Sequence, residues 1–191
     1  MKVFSRARQR WGVKMVLGFL LLGCLTRGGN AFAATAREID VGVDVAIERF
    51  EKTIVGGNQL LERASGVLVF PTVIKAGVGF GGEYGEGSLR IGGKTVDYYS
   101  TAAASFGLQF GAQSKTVMLV FLDEQALKKF RQSAGWKAGV DGSVALVAVG
   151  AGGAIDMTKI NDPIVGFVFG QKGLMYNLTL EGSKFTRINP D

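Results

Sequence analysis

The chain has 191 residues, 47% of them hydrophobic, with one cysteine, no histidine and a formal net charge of +6. Without histidine there are no Ser-His or Cys-His nucleophile pairs and few zinc sites, and a lone cysteine cannot close an internal disulfide. The length is sufficient for a domain that buries a genuine core.

At the N-terminus Lys2, Arg6, Arg8, Arg10 and Lys14 precede an apolar run from Met15 to Leu22, and no acid occurs before Glu38. This is the order of a secretory signal, and the run is shorter than the roughly 20 residues that a spanning helix needs. Two exits compete. Ala31-Phe32-Ala33 is an A-x-A cleavage site that leaves Ala34 first, whereas Leu21-Leu22-Gly23-Cys24 resembles a bacterial lipobox, with lipidation of Cys24. Either exit predicts an exported protein of the periplasm or cell envelope, with residues 1–33 a signal peptide and 34–191 the domain. Residues 1–33 hold six of the 22 Lys and Arg and none of the 16 Asp and Glu, which leaves 16 of each sign after them. The basic balance of the whole chain thus resides in the leader and gives no support to a nucleic-acid partner.

From Thr35 to Val55 the residues Ile39, Val43, Ala46, Ile47, Phe50 and Ile54 form one stripe at helical pitch. Thr35 and Glu38 make a capping box at its start, and Gly56-Gly57 ends it. A short helical segment over Gln59 to Ala64 is expected next. The period then changes to that of strands, at 66–70, 77–82, 88–91, 95–100, 105–111 and 116–122, separated by glycine turns, with Gly92-Gly93 a tight hairpin. Asp123 to Ser133 reads as a helix: acids Asp123 and Glu124 lie at its start, Lys128, Lys129 and Arg131 at its end, an order that suits the helix dipole. Strands resume at 143–149, 163–169, 174–180 and 184–188. The fold expected is one α+β domain dominated by an antiparallel, glycine-rich sheet or barrel, with an N-terminal amphipathic helix and one further helix packed on it.

Gly77-x-Gly79-x-x-Gly82 matches the dinucleotide fingerprint in form, but Glu83-Tyr84-Gly85-Glu86-Gly87 follows it, where a helix N-terminus is required to hold a pyrophosphate. The glycines read instead as sites of bulges and close backbone approach. Glu83, Glu86 and Asp97 are the acids that a remote hydrolase reading would use. Trp136 follows a basic helix end, so Lys128, Lys129, Arg131 and Lys137 around an amphipathic ring suit an anionic membrane interface. The competing reading puts Trp136 in the core, with the cations satisfying the helix C-terminus. The first helix is acidic on its polar face, unlike helices that lie on anionic membranes.

Gly66-Val67-Leu68-Val69-Phe70-Pro71, Lys75-Ala76-Gly77, Gly81 to Gly87, Tyr98-Tyr99, the 105–113 block with Gly107-Leu108-Gln109 and Gly111-Ala112-Gln113, Phe130 to Trp136 and Gly170 to Leu174 together resemble the SYLF domain. That family is the lipid-binding domain shared by bacterial envelope proteins and eukaryotic actin-patch regulators. The resemblance runs from 66 to 188 and implies phospholipid binding, with phosphoinositides and actin filaments as ligands of some eukaryotic members. An exported chain meets neither of those two, and its acidic first helix departs from eukaryotic relatives, in which the N-terminal segment aids membrane attachment. The expectation is a non-enzymatic envelope module, without cofactor or metal, that contacts anionic phospholipid through Lys128, Lys129, Arg131 and Lys137, with Trp136 at the interface and Lys75 a weaker contact. The alternative is a protein-interaction or structural module of the envelope.

Overall fold

The computed structural model describes residues 34–148, 162–173, 180 and 182–191, with backbone only at 105–110 and 148. Helix α1, Ala36–Thr53, starts at the capping box read from sequence: Thr35 N–H donates to Glu38 Oε2 at 2.9 Å, and Glu38 N–H to Thr35 Oγ1 at 3.3 Å. Its stripe of Ile39, Val43, Ala46 and Phe50 is buried. A six-residue helix α2, Gly57–Glu62, follows on Gly56 in the left-handed region.

The next two strands are longer than the sequence reading allows. β1, Gly66–Ile91, and β2, Lys94–Phe121, form one antiparallel hairpin closed by Gly92 and Gly93, the turn expected from sequence. The glycine turns placed between short strands at 66–91 and 95–122 are therefore corrected: inside each strand glycine bends the ladder without ending it. Gly79, at φ 73°, sits in the register shift between Val78 and Phe80, where this one residue of β1 stands against three of β2, 107–109, and β1 turns back on itself. The two arms of β1 then touch backbone to backbone. A Cβ on Gly87 would lie 2.0 Å from the Val69 carbonyl oxygen, and one on Gly85 2.8 Å from that of Thr72. Glycine there is a condition of the fold-over.

Helix α3, Glu124–Gln132, follows β2, capped by Asp123, whose Oδ1 accepts from Ala126 N–H at 2.7 Å. Then come β3, Trp136–Lys137; β4, Ala145–Ala148; β5, Ile164–Gly173; and β6, Lys184–Ile188. The described strands order as β3-β6-β2-β5-β4, with β1 on β2; β2 carries β6 along its first half and β5 along its second. The fold is α+β, a curled sheet with helices packed on it, and the pairing of β4 with β5 is parallel within it. The expected strand at 174–180 lies outside the described residues apart from Leu180, as do the leader and Cys24.

Two apolar clusters occupy opposite faces of the sheet. Under α1, Ile39, Val43 and Phe50 meet Val69, Met118, Val120 and Phe167; on the other face Phe70, Tyr99, Phe121, Phe185 and Trp136 pack with Phe130 and Leu127 of α3. Coverage on both sides explains why β5 is buried without alternation from Ile164 to Phe169. Asp40 ties α1 to the hairpin, accepting from Thr95 Oγ1 at 2.8 Å and Tyr98 Oη at 2.9 Å and pairing with Arg90 at 3.3 Å. Among the described residues no helix is long and apolar enough to cross a membrane.

Candidate functional site

On α3 the apolar positions Leu127 and Phe130 are buried, which turns Lys128 and Lys129 outward at the helix's basic end. One turn on, Arg131 Nε donates to Asp97 Oδ2 at 2.9 Å. Arg187, from β6, reaches the same oxygen at 3.4 Å, and its Nη2 also donates to the Arg131 carbonyl at 3.0 Å and lies 3.4 Å from Tyr99 Oη. The guanidinium of Arg187 stands 5.9 Å from the centre of the Tyr99 ring. Asp97 thus fixes two guanidinium groups from two elements side by side. Its hydrogen bond with Tyr99 holds Arg187 above the ordinary arginine value, and burial pushes the Tyr99 hydroxyl up.

Lys128, Arg131 and Arg187 line one cavity of about 570 Å³, floored in part by Leu127 and Ile91. Three cations face one lining carboxylate, Glu124, and Asp97 offsets one more charge. An apolar floor with a cationic rim accommodates an anionic headgroup and the first carbons attached to it. Lys129 faces the other side of α3. There a cavity of about 610 Å³ takes in Arg63 and Trp136 but also Asp123, Asp141 and Asp162, so acids outnumber bases.

The expected cation cluster is thus divided. Lys128 and Arg131 share a groove, Lys129 lies in an acidic one, and Lys137 is exposed opposite Lys184 on the β3–β6 pair, outside both. Trp136 is not at an interface: it is 4% exposed, with its ring centre 5.5 Å from that of Phe130 and 5.8 Å from that of Phe185. Packing three aromatic rings together buries more apolar area than one exposed indole offers a membrane, so the core reading of Trp136 holds. Lys75, placed as a surface contact, is buried inside the folded hairpin at 5% exposure. Arg187 was missed, because nothing local to 184–188 distinguishes it; only β6 docking on β2 brings it to α3.

The acids of the hydrolase reading are each engaged separately. Lys115 pairs with Glu83 at 2.9 Å; Glu86 accepts from the Ala34 amide at 2.9 Å and from Tyr84 Oη at 2.6 Å; Asp97 holds the two arginines. The segment Gly77 to Gly82 lies inside β1, with no helix after it to bind a pyrophosphate.

Fold and site together define a small α+β module with a cationic groove between one helix and a sheet edge. Residues 102–189 match the family described as Ysc84, Las17-binding protein actin regulator, in agreement with the SYLF resemblance read from the sequence. The match covers most of β2 and everything after it, whereas the sequence resemblance also took in β1. The SYLF family comprises lipid-binding and actin-regulating modules. A comparison with curated proteins gives no match.

Proposed function

We propose that this domain binds anionic phospholipid headgroups at a membrane surface of the cell envelope, without catalysis, through the groove of Lys128, Arg131 and Arg187. The observation that carries the reading is the double hold of Asp97 on Arg131 and Arg187, which presents two fixed guanidinium forks beside Lys128 over an apolar floor. Guanidinium forks match phosphate oxygens in geometry. The family's lipid-binding character supports the same ligand class. Export belongs to this reading: the charge order of residues 1–33 favours it, and the Ala34 amide nitrogen lies 2.9 Å from the Glu86 carboxylate, so an ammonium formed by cleavage after Ala33 meets a counter-charge at once. Mass determination on protein recovered from cells checks this, the expected N-terminus being Ala34; a lipidated Cys24 or an intact Met1 start rejects cleavage there.

Co-sedimentation with neutral and with phosphatidylglycerol vesicles at low and physiological salt tests the ligand. Each Lys or Arg near an anionic surface contributes about 1 kcal/mol, weakened by salt. Binding should favour anionic vesicles, fall with salt, and drop several-fold in Lys128→Glu. Indifference of the wild-type protein to every vesicle sinks the lipid reading and returns the interaction-module alternative.

A further inference from the structure

The inward face of the folded hairpin carries charged and polar side chains. Lys75, Glu83, Gln113 and Lys115 are 5%, 8%, 3% and 2% exposed. Lys75 pairs in register with Gln113, and Val73 with Lys115, so Lys75, Gln113 and Lys115 project from one face of the ladder. Glu83 comes from the arm folded over them, and Lys115 Nζ donates to its Oε2 at 2.9 Å. Beyond that bond the set is incomplete. Glu83 Oε1 and both amide atoms of Gln113 have no hydrogen-bond partner, and among the described residues none pairs with Lys75.

Such an arrangement is unfavourable as it stands, since buried polar atoms without partners keep their full desolvation penalty and a buried ion pair breaks even only when its remaining donors and acceptors are satisfied. What is missing can be read from the open groups. The enclosed set holds two ammonium groups and one carboxylate, so the partner that would balance it is an anion. Lys75, Lys115 and the Gln113 amide are three donors, which the oxygens of a phosphate can accept together. Glu83 Oε1 and Gln113 Oε1 are open acceptors, which call for a hydroxyl on the same ligand.

We propose that the interior of the folded β1–β2 hairpin is a binding site for a hydroxylated phosphate of the glycerol phosphate type, held by Lys75, Lys115 and Gln113 and hydroxyl-bonded to Glu83. The same chemistry occurs in free glycerol phosphate and in the headgroup of a glycerol-bearing phospholipid. The site is separate from the groove beside α3 and does not rest on it.

Calorimetric titration of the protein obtained by expressing the full chain, with glycerol 3-phosphate, inorganic phosphate and glycerol as probes, tests the site; phosphatidylglycerol vesicles form a second arm. Glycerol 3-phosphate should bind saturably, inorganic phosphate at least several-fold more weakly and glycerol not at all. Lys75→Met keeps the length of the side chain and leaves the Lys115–Glu83 pair intact, so the variant should fold yet lose at least 10-fold in affinity. Gln113→Leu should lose several-fold. Binding confined to vesicles and lost in Lys75→Met assigns the lipid headgroup as the source. The reverse pattern, loss in Lys128→Glu with Lys75→Met unaffected, overturns this site while leaving the groove standing. Absence of binding to both soluble phosphates and vesicles, or binding that survives both Lys75→Met and Gln113→Leu, also overturns it: solvent alone then completes the cluster.

Discussion

Asp40 shows how one side chain secures a whole helix. Burial works against its charged form, but hydrogen bonds from Thr95 and Tyr98 and the nearby Arg90 outweigh this, and its carboxyl lies below the usual aspartate range. A depressed carboxyl stabilises the fold above its unfolded value, about 3.9, and that contribution disappears as pH falls through the lower folded value. Asp40→Asn should therefore cost about 1 kcal/mol at pH 7, the figure kept low because the side chain is one-third exposed, and the gap from wild type in urea midpoint should narrow as pH falls below the unfolded value of about 3.9. A second pair of substitutions tests the backbone contact between the arms of β1. Gly87→Ala forces a methyl to within 2.0 Å of the Val69 carbonyl and should destabilise by about 3 kcal/mol or more, whereas Gly82→Ala meets nothing within 4 Å and should be near neutral. Thermal unfolding of the two variants separates them. At this scale the sequence was partly legible. The glycines around 77–87 read as places of close approach, but which carbonyl each one meets depends on a strand crossing itself.

Among the elements, α1 and α3 were legible almost to their ends, because capping and a 3.6-residue stripe are local properties. Asp123→Ala should remove the α3 cap at a cost of about 1 kcal/mol, measured by chemical denaturation. The strands were harder. A bulge and a turn begin with the same residues, and only the continuing ladder distinguishes Gly79, which bends β1, from Gly92, which ends it. The cationic groove also belongs to this scale. Lys128 and Arg131 were recognisable as the basic end of a helix, but their partner Arg187 arrives from 56 residues beyond Arg131 in sequence. Arg187→Gln should release Arg131 from one of its neighbours and reduce anionic vesicle binding several-fold, with circular dichroism confirming that the fold persists.

For the whole molecule, stability resides in two apolar clusters on either side of one sheet, joined by no covalent link after Cys24. The melting temperature of protein beginning at Ala34 should be unchanged by reductant, and its far-ultraviolet spectrum should be dominated by strand; a shift with reductant or a mainly helical spectrum contradicts the fold described. The sequence by itself determined the fold class, the two principal helices, the Gly92-Gly93 hairpin and the neutrality of residues 34–191, since these follow from composition, periodicity and turn chemistry within a few residues. Only the tertiary structure decided that Trp136 is core, that Lys75 is enclosed beside Gln113 and Lys115, and that Asp97 holds Arg131 and Arg187 together. Each of those outcomes depends on which distant strand lies opposite, and the pairing of β2 with β1, β5 and β6 is set by burial of the entire sheet rather than by any short stretch of chain.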